Sequence, residues 1–164
     1  MTNDGLFHLF LVIHVITAIA AFGPSFAFPL ITGMSRAEPP HGNFAARVID
    51  RVERKLVVPG ALTMPISGAL MIYFAQIDLF ATSTRWLLAG IVLYVIAISY
   101  AILVQIPTID RIIHITSTPP PPGVVPAGPP PGLLQAAEKA KRGGILLSVL
   151  IVTIVTLMVV RPGV

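Results

Sequence analysis

The sequence contains no cysteine. Disulfides, thiolate metal sites, cysteine nucleophiles and covalently attached c-type haem are therefore excluded. Charge is scarce as well: 11% of the 164 residues are charged, against about 25% in an ordinary globular domain. So few charges cannot solvate the surface of one domain, which argues against a water-soluble monomer. What is abundant is apolar surface, with 55% of residues hydrophobic and a mean hydropathy of +0.87.

The apolar residues fall into four stretches, at about 6–32, 56–77, 86–106 and 144–160. A membrane-crossing helix needs about 20 residues, so the pattern predicts an all-α membrane protein with four transmembrane helices in an up-down bundle and one domain over 1–164. The fourth stretch is the shortest, and Arg142 and Arg161 at its ends suit snorkelling. Ala18-Ile19-Ala20 has the small-x-small form of a cleavage site. The segment before it has no Lys or Arg and the apolar run continues past it, so an uncleaved span is expected.

The net charge is +4, from 11 Lys and Arg against 7 Asp and Glu. Nine of the eleven cations sit in two loops: Arg36, Arg47, Arg51, Arg54 and Lys55 in one, Arg111, Lys139, Lys141 and Arg142 in the other. Only Arg85 and Arg161 lie on the opposite side. The positive-inside rule then predicts two cytoplasmic loops and both termini outside. The basic balance is a topology signal, and no nucleic-acid partner is expected. Phe7, Phe80 and Trp86 fall where an outer aromatic belt would lie.

Within the first basic loop, 43–55 reads as a helix. Asn43 stands in N-cap position, Phe44, Val48 and Val52 form one apolar face, and Asp50 and Arg54 are spaced for an i,i+4 pair. Arg47, Arg51, Arg54 and Lys55 are candidates for lipid-headgroup contact. The segment 119–132 is proline-rich and reads as polyproline II or irregular tether. A short helix from Leu133 to Arg142 feeds the fourth span.

None of the four stretches contains Asp, Glu, Lys or Arg, which argues against a proton-coupled transporter. Gly-rich phosphate loops, paired carboxylates and Ser/His/Asp sets are likewise missing from the pattern. His14 is the remaining candidate for cofactor binding. It shares the first span with His8, about 120° away around the helix, and the other spans contain no histidine to complete a bis-histidine haem site. Met64 and Met71 could join His14 in a haem or copper site, but methionine at helical spacing is ordinary packing. No metal and no cofactor are predicted.

His14 needs a hydrogen-bond partner in hydrocarbon. Counting inward from the outer ends brings His14, Tyr94, about Thr153 and about Ala69, a turn from Ser67, to a common depth, and Thr17 follows His14 by one helical step; a polar cluster of His14, Thr17, Ser67, Tyr94 and Thr153 is expected. Stripes of small residues accompany it: Gly60, Thr63 and Ser67 on one span, Gly90, Tyr94, Ala97 and Ala101 on another. Pro24, Pro59 and Pro65 predict kinks.

Several of these residues together carry a resemblance. They are the run from His14 to Gly23, Arg47-Val48-Ile49-Asp50, Pro59, Pro65-Ile66-Ser67-Gly68, Trp86, Leu93-Tyr94-Val95 and Pro107. The pattern resembles the bacterial family of small integral membrane proteins catalogued as domain of unknown function 2269. The likeness covers most of 6–112 and, more loosely, the fourth span; the proline-rich insert departs from it. It implies a four-span bacterial inner-membrane protein and brings neither activity nor site residues. The expected role is a non-enzymatic accessory or scaffold subunit in contact with lipid and with other membrane subunits or its own copies. The alternatives are a protein handling quinone, haem or copper, and a minimal transporter.

Overall fold

Apolar runs of this length have one way to satisfy their backbone in lipid, which is to hydrogen-bond internally as helix. The structure, a computed structural model, describes residues 3–117 and 128–162 and is helical throughout its ordered elements. Among the described residues seven α-helices follow in order: α1 (Asn3–Phe22), α2 (Phe28–Ala37), α3 (Gly42–Val52), α4 (Val58–Phe74), α5 (Arg85–Tyr100), α6 (Ile106–Ser117) and α7 (Leu133–Val160). They stack end to end into four rods, Asn3–Ser35, Gly42–Phe74, Thr82–Ser117 and Leu133–Val160, each long and apolar enough to cross a membrane. The second rod, at 33 residues, is about 50 Å long. It therefore extends well beyond a hydrocarbon core of about 30 Å. The predicted basic helix is that extension, and the short helix before the fourth span is the first part of α7.

Prolines set the joints between collinear helices. Gly23-Pro24 opens the 3-10 turn Gly23–Phe26 between α1 and α2. The two other joints are π turns, Glu53–Val57 and Ala101–Gln105. In both, the residue after the turn donates to the carbonyl five positions back, Val58 to Glu53 and Ile106 to Ala101. In both, a proline comes next, Pro59 or Pro107. A proline ring crowds the carbonyl four residues before it and offers no N–H. One widened turn moves that carbonyl aside without breaking the rod. Pro65, by contrast, lies inside α4, which continues through it.

Contacts across the rods run in opposite directions, which fixes the up-down order. On rods one and two, Phe10 stacks on Phe74 with centroids 5.6 Å apart, His14 meets Ser67, and Ala21 meets Gly60. On rods two and three, Asn43 meets Thr116, Arg54 meets Asp110, and Ala61 meets Tyr94. On rods three and four, the Arg161 guanidinium lies over the Trp86 ring at 5.6 Å, Met158 packs at Gly90, and Gln105 donates to the Ala140 carbonyl. The α1–α4 pair is the most extensive seam, followed by α5–α7, and α3 and α6 join these two hairpins at the basic end.

The core is thin: small residues hold the seam between rods one and two, and Ile49, Leu87, Ile106, Ile109, Ile151 and Ile154 are buried elsewhere. Ala21, Ala61 and Met64 form its centre, with Ala18, Phe22, Tyr94 and Ile98 packed around them. Gly60 matters here, because a Cβ on it would lie 3.2 Å from the Ala21 nitrogen and 3.3 Å from the Thr17 carbonyl oxygen. Rods one and two thus touch backbone to backbone, as small-residue seams allow.

Candidate functional site

The polar groups inside the spans divide between two places. On the α1–α4 seam, His14 Nδ1 lies 2.9 Å from Ser67 Oγ, and the Ser67 hydroxyl donates to the Met64 carbonyl at 3.0 Å. Gly68 leaves room for the ring, since a Cβ there would only reach ordinary contact with His14 Cε1 at 3.4 Å. Ser67 is 2% exposed, so this pair is an interior hydrogen bond between helices.

The second place is reached from α5. Pro65 has no N–H, so the carbonyl of Ala61, four residues earlier, lacks its helical donor. The Tyr94 hydroxyl donates to that carbonyl. One proline therefore creates an acceptor on α4, and one tyrosine on α5 fills it. This bond ties the second hairpin to the first at mid-depth.

The expected single cluster is accordingly two separate contacts. No hydrogen bond among the described residues joins the His14 ring to the side chains of Tyr94, Thr17 or Thr153. The Thr17 hydroxyl donates within its own helix to the Ile13 and His14 carbonyls, both at 2.9 Å. Thr153 is exposed and donates to Val149, also in its own helix. Depth counting aligned these residues but could not supply their rotation about each helix axis. Met64, a possible partner for a metal at His14, packs in the alanine core.

At the basic end, α3 and α6 are cross-linked by polar side chains. Arg54 Nε donates to Asp50 at 2.6 Å, and Arg54 Nη2 donates to both carboxylate oxygens of Asp110 at 2.7 Å. These two carboxylates raise the Arg54 pKa further. Asn43 does not cap its helix; the N-cap position is His41, and Asn43 Nδ2 donates across to Thr116 Oγ1 at 2.9 Å and the Ile113 carbonyl at 3.2 Å. The apolar face predicted for this helix is displaced too. Phe44 is exposed, while Ala46, Ile49 and Glu53 are buried. The face is chosen by what packs on it, here α6, and the periodicity of α3 alone did not identify that partner.

Glu53 is the residue the sequence pattern concealed. It lies three residues before the apolar stretch begins at Leu56, outside the membrane-spanning part, yet it is 6% exposed. Its π turn packs on the end of α1 and on the 3-10 turn after it. Burial pushes its carboxyl up to about 7, with the Asp50 and Asp110 carboxylates adding to the rise and Arg54 opposing it. The signal that could have drawn attention to it is Pro59, six residues on, which marks the irregular turn. Gln105 ends the other π turn; its Oε1 is buried without a hydrogen-bond partner.

Of the four residues assigned to headgroup contact, Arg47, Arg51 and Lys55 are exposed, whereas Arg54 is engaged by Asp50 and Asp110. Of the proline-rich segment, 119–127 lies outside the described residues, and at its far end Gly132 lies beside the side chains of Arg111 and Ile115.

Four antiparallel apolar rods, with their interior polar groups bonded to one another, define a multi-pass integral membrane protein whose flanks meet the lipid bilayer. The chain belongs to the family described as predicted integral membrane protein (DUF2269), which it matches over residues 8–162. Searches of curated proteins and of solved structures found no match.

Proposed function

We propose that the chain is a non-enzymatic accessory or scaffold subunit of a larger membrane complex, in the cytoplasmic membrane of a bacterium. The observation that carries this reading is the use of its polar groups. His14, Ser67 and Tyr94 close on neighbouring helices of the same chain, and so act as fasteners of the bundle. Large apolar side chains point outward from every rod, among them Ile19, Ile66, Leu103 and Val159. A small-residue core with broad apolar flanks suits docking against other helices, whether of different subunits or of a second copy.

Photo-crosslinking tests this directly. A photoreactive residue placed at Ile66, Val95 or Val152, all exposed, should yield an adduct of one discrete mass from at least one face. Adducts with lipid alone at all three positions would overturn the subunit reading. A Soret band or stoichiometric copper in the purified protein would move the assignment to cofactor handling at His14.

The same proposal places both termini outside. Arg47, Arg51, Arg54, Lys55, Arg111, Lys139, Lys141 and Arg142 supply the support, since they all lie in or beside the two long connections. The chain has no cysteine, so Ser83→Cys and Ser117→Cys each introduce a lone thiol. An impermeant maleimide should label position 83 in intact cells and position 117 only after permeabilisation. The opposite pattern would invert the topology.

A further inference from the structure

We propose that the groove between α6 and α7 at the basic end is a binding site for an anionic glycerophospholipid. The groove has a volume of about 360 Å³. Leu103, Val104 and Pro107 line one part of it, and Arg111, Gln135 and Lys139 line the rest. Apolar and cationic walls therefore follow one another along the rod axis.

The spacing matches a lipid in place. Leu103 lies within the third apolar stretch, which ends at Ile106, and is 73% exposed. Arg111 is five residues past that end, or about 7.5 Å along the helix. The headgroup layer begins at the hydrocarbon edge and is about 5–8 Å deep on each side. An acyl chain lying on Leu103 and Val104 thus brings its phosphate to the level of Arg111, and Lys139, whose neighbour Ala140 is level with Gln105, reaches that layer with its long stem.

The charges are available. The ion pairs among the described residues use Glu38, Asp50, Asp110 and Glu138, with His41, Arg54 and Arg142 as their partners. Arg111 and Lys139 take part in none of them. Arg111 is also positioned: its Nη2 would lie 3.4 Å from a Cβ on Gly132, a residue with φ +80°. The guanidinium therefore lies against the start of α7, at the groove. A second groove, between α5 and α7, shares Gln135 and Lys139 with the first but also contains Glu138, whose carboxylate opposes an anion there. A free phosphate would use the cations but gain nothing from the apolar wall, so the lipid is the better occupant. The site does not depend on the subunit reading.

Native mass spectrometry of the detergent-purified protein distinguishes these cases, with phosphatidylglycerol, phosphatidylcholine of the same chains, and inorganic phosphate as probes. Phosphatidylglycerol should be retained at least tenfold better than phosphatidylcholine. Each cation near an anionic phosphate contributes about fivefold. Arg111→Gln with Lys139→Gln should therefore reduce phosphatidylglycerol retention by about 25-fold. Arg111→Lys should keep most of it, and Arg85→Gln, which removes a cation at the opposite end of the third rod, should change little. Lys139→Gln alone, a surface change, gives the fivefold step if the double variant does not survive extraction. Unchanged retention in the variant used, or an equal loss in Arg85→Gln, would overturn the site. Competition by inorganic phosphate at similar concentration would make it an anion site and overturn the lipid assignment.

Discussion

Replacing Glu53 with glutamine should stabilise the protein at pH 8 and leave it nearly unchanged at pH 4.5. Glu53 is buried, and its carboxyl is pushed up from 4.5 to about 7 by that burial, with the nearby Asp50 and Asp110 carboxylates reinforcing the effect. Below pH 4.5 the group is protonated whether or not the chain is folded. Between pH 4.5 and 7 the folded state keeps the proton while the unfolded chain releases it. Stability therefore falls as pH rises through this window, by about 3 kcal/mol in all for a shift of this size. Glutamine has no such proton to lose, so the variant's thermal midpoint should stay flat where the wild type's declines. The measurement is a melting series in detergent from pH 4.5 to 8.5. Parallel curves for the two proteins would show that Glu53 is solvated in the working state.

A leucine at position 60 should open the first hairpin. The Cβ alone would sit 3.2 Å from the Ala21 nitrogen and 3.3 Å from both Ala21 Cβ and the Thr17 carbonyl oxygen. Two of those atoms are backbone, so no rotamer change can clear them, and α1 must move away from α4. Overpacking of this kind costs about 1–3 kcal/mol or more, and a loss of that order lowers the melting point by about 2–12 °C. Phe10–Phe74 stacking and the His14–Ser67 bond share the seam and should weaken with it. Gly144→Ala is the contrasting change. Nothing lies within 4 Å of a Cβ there, and replacing a mid-helix glycine by alanine gains about 1 kcal/mol in an unhindered helix. If Gly60→Leu melts as the wild type does, the close approach of the two rods is not a feature of the folded protein in detergent.

The two expectations differ in how much of them the sequence revealed. Four uncharged apolar stretches are hard to mistake, because a bilayer imposes length and composition together. The Gly60 seam was partly legible as a small-residue stripe, though its partner on the first rod was not. Glu53 was hidden. Its segment reads as a polar helix with Phe44, Val48 and Val52 on one face, but α6 and the end of α1 select the face bearing Ala46, Ile49 and Glu53 instead. A widened turn adds a residue to the helical repeat, so a period counted through 53–57 loses its phase. The same limit divided the polar cluster. Equal depth put Thr153 beside His14 on paper, while the rotation of α7 turns that hydroxyl outward.

A core made this way reverses the usual relation between residue size and tolerance to change. Gly60 and Ala21 are where two main chains touch, and Gly90 stands where Met158 packs. Leu30, Leu103 and Val159, at 72–74% exposed, face outward from the bundle. In a water-soluble bundle the bulky aliphatics are the positions that natural drift spares. Here the outward leucine, valine and isoleucine are held to apolarity more than to shape, whereas at Gly60 and Ala21 it is the lack of a side chain that lets two main chains meet.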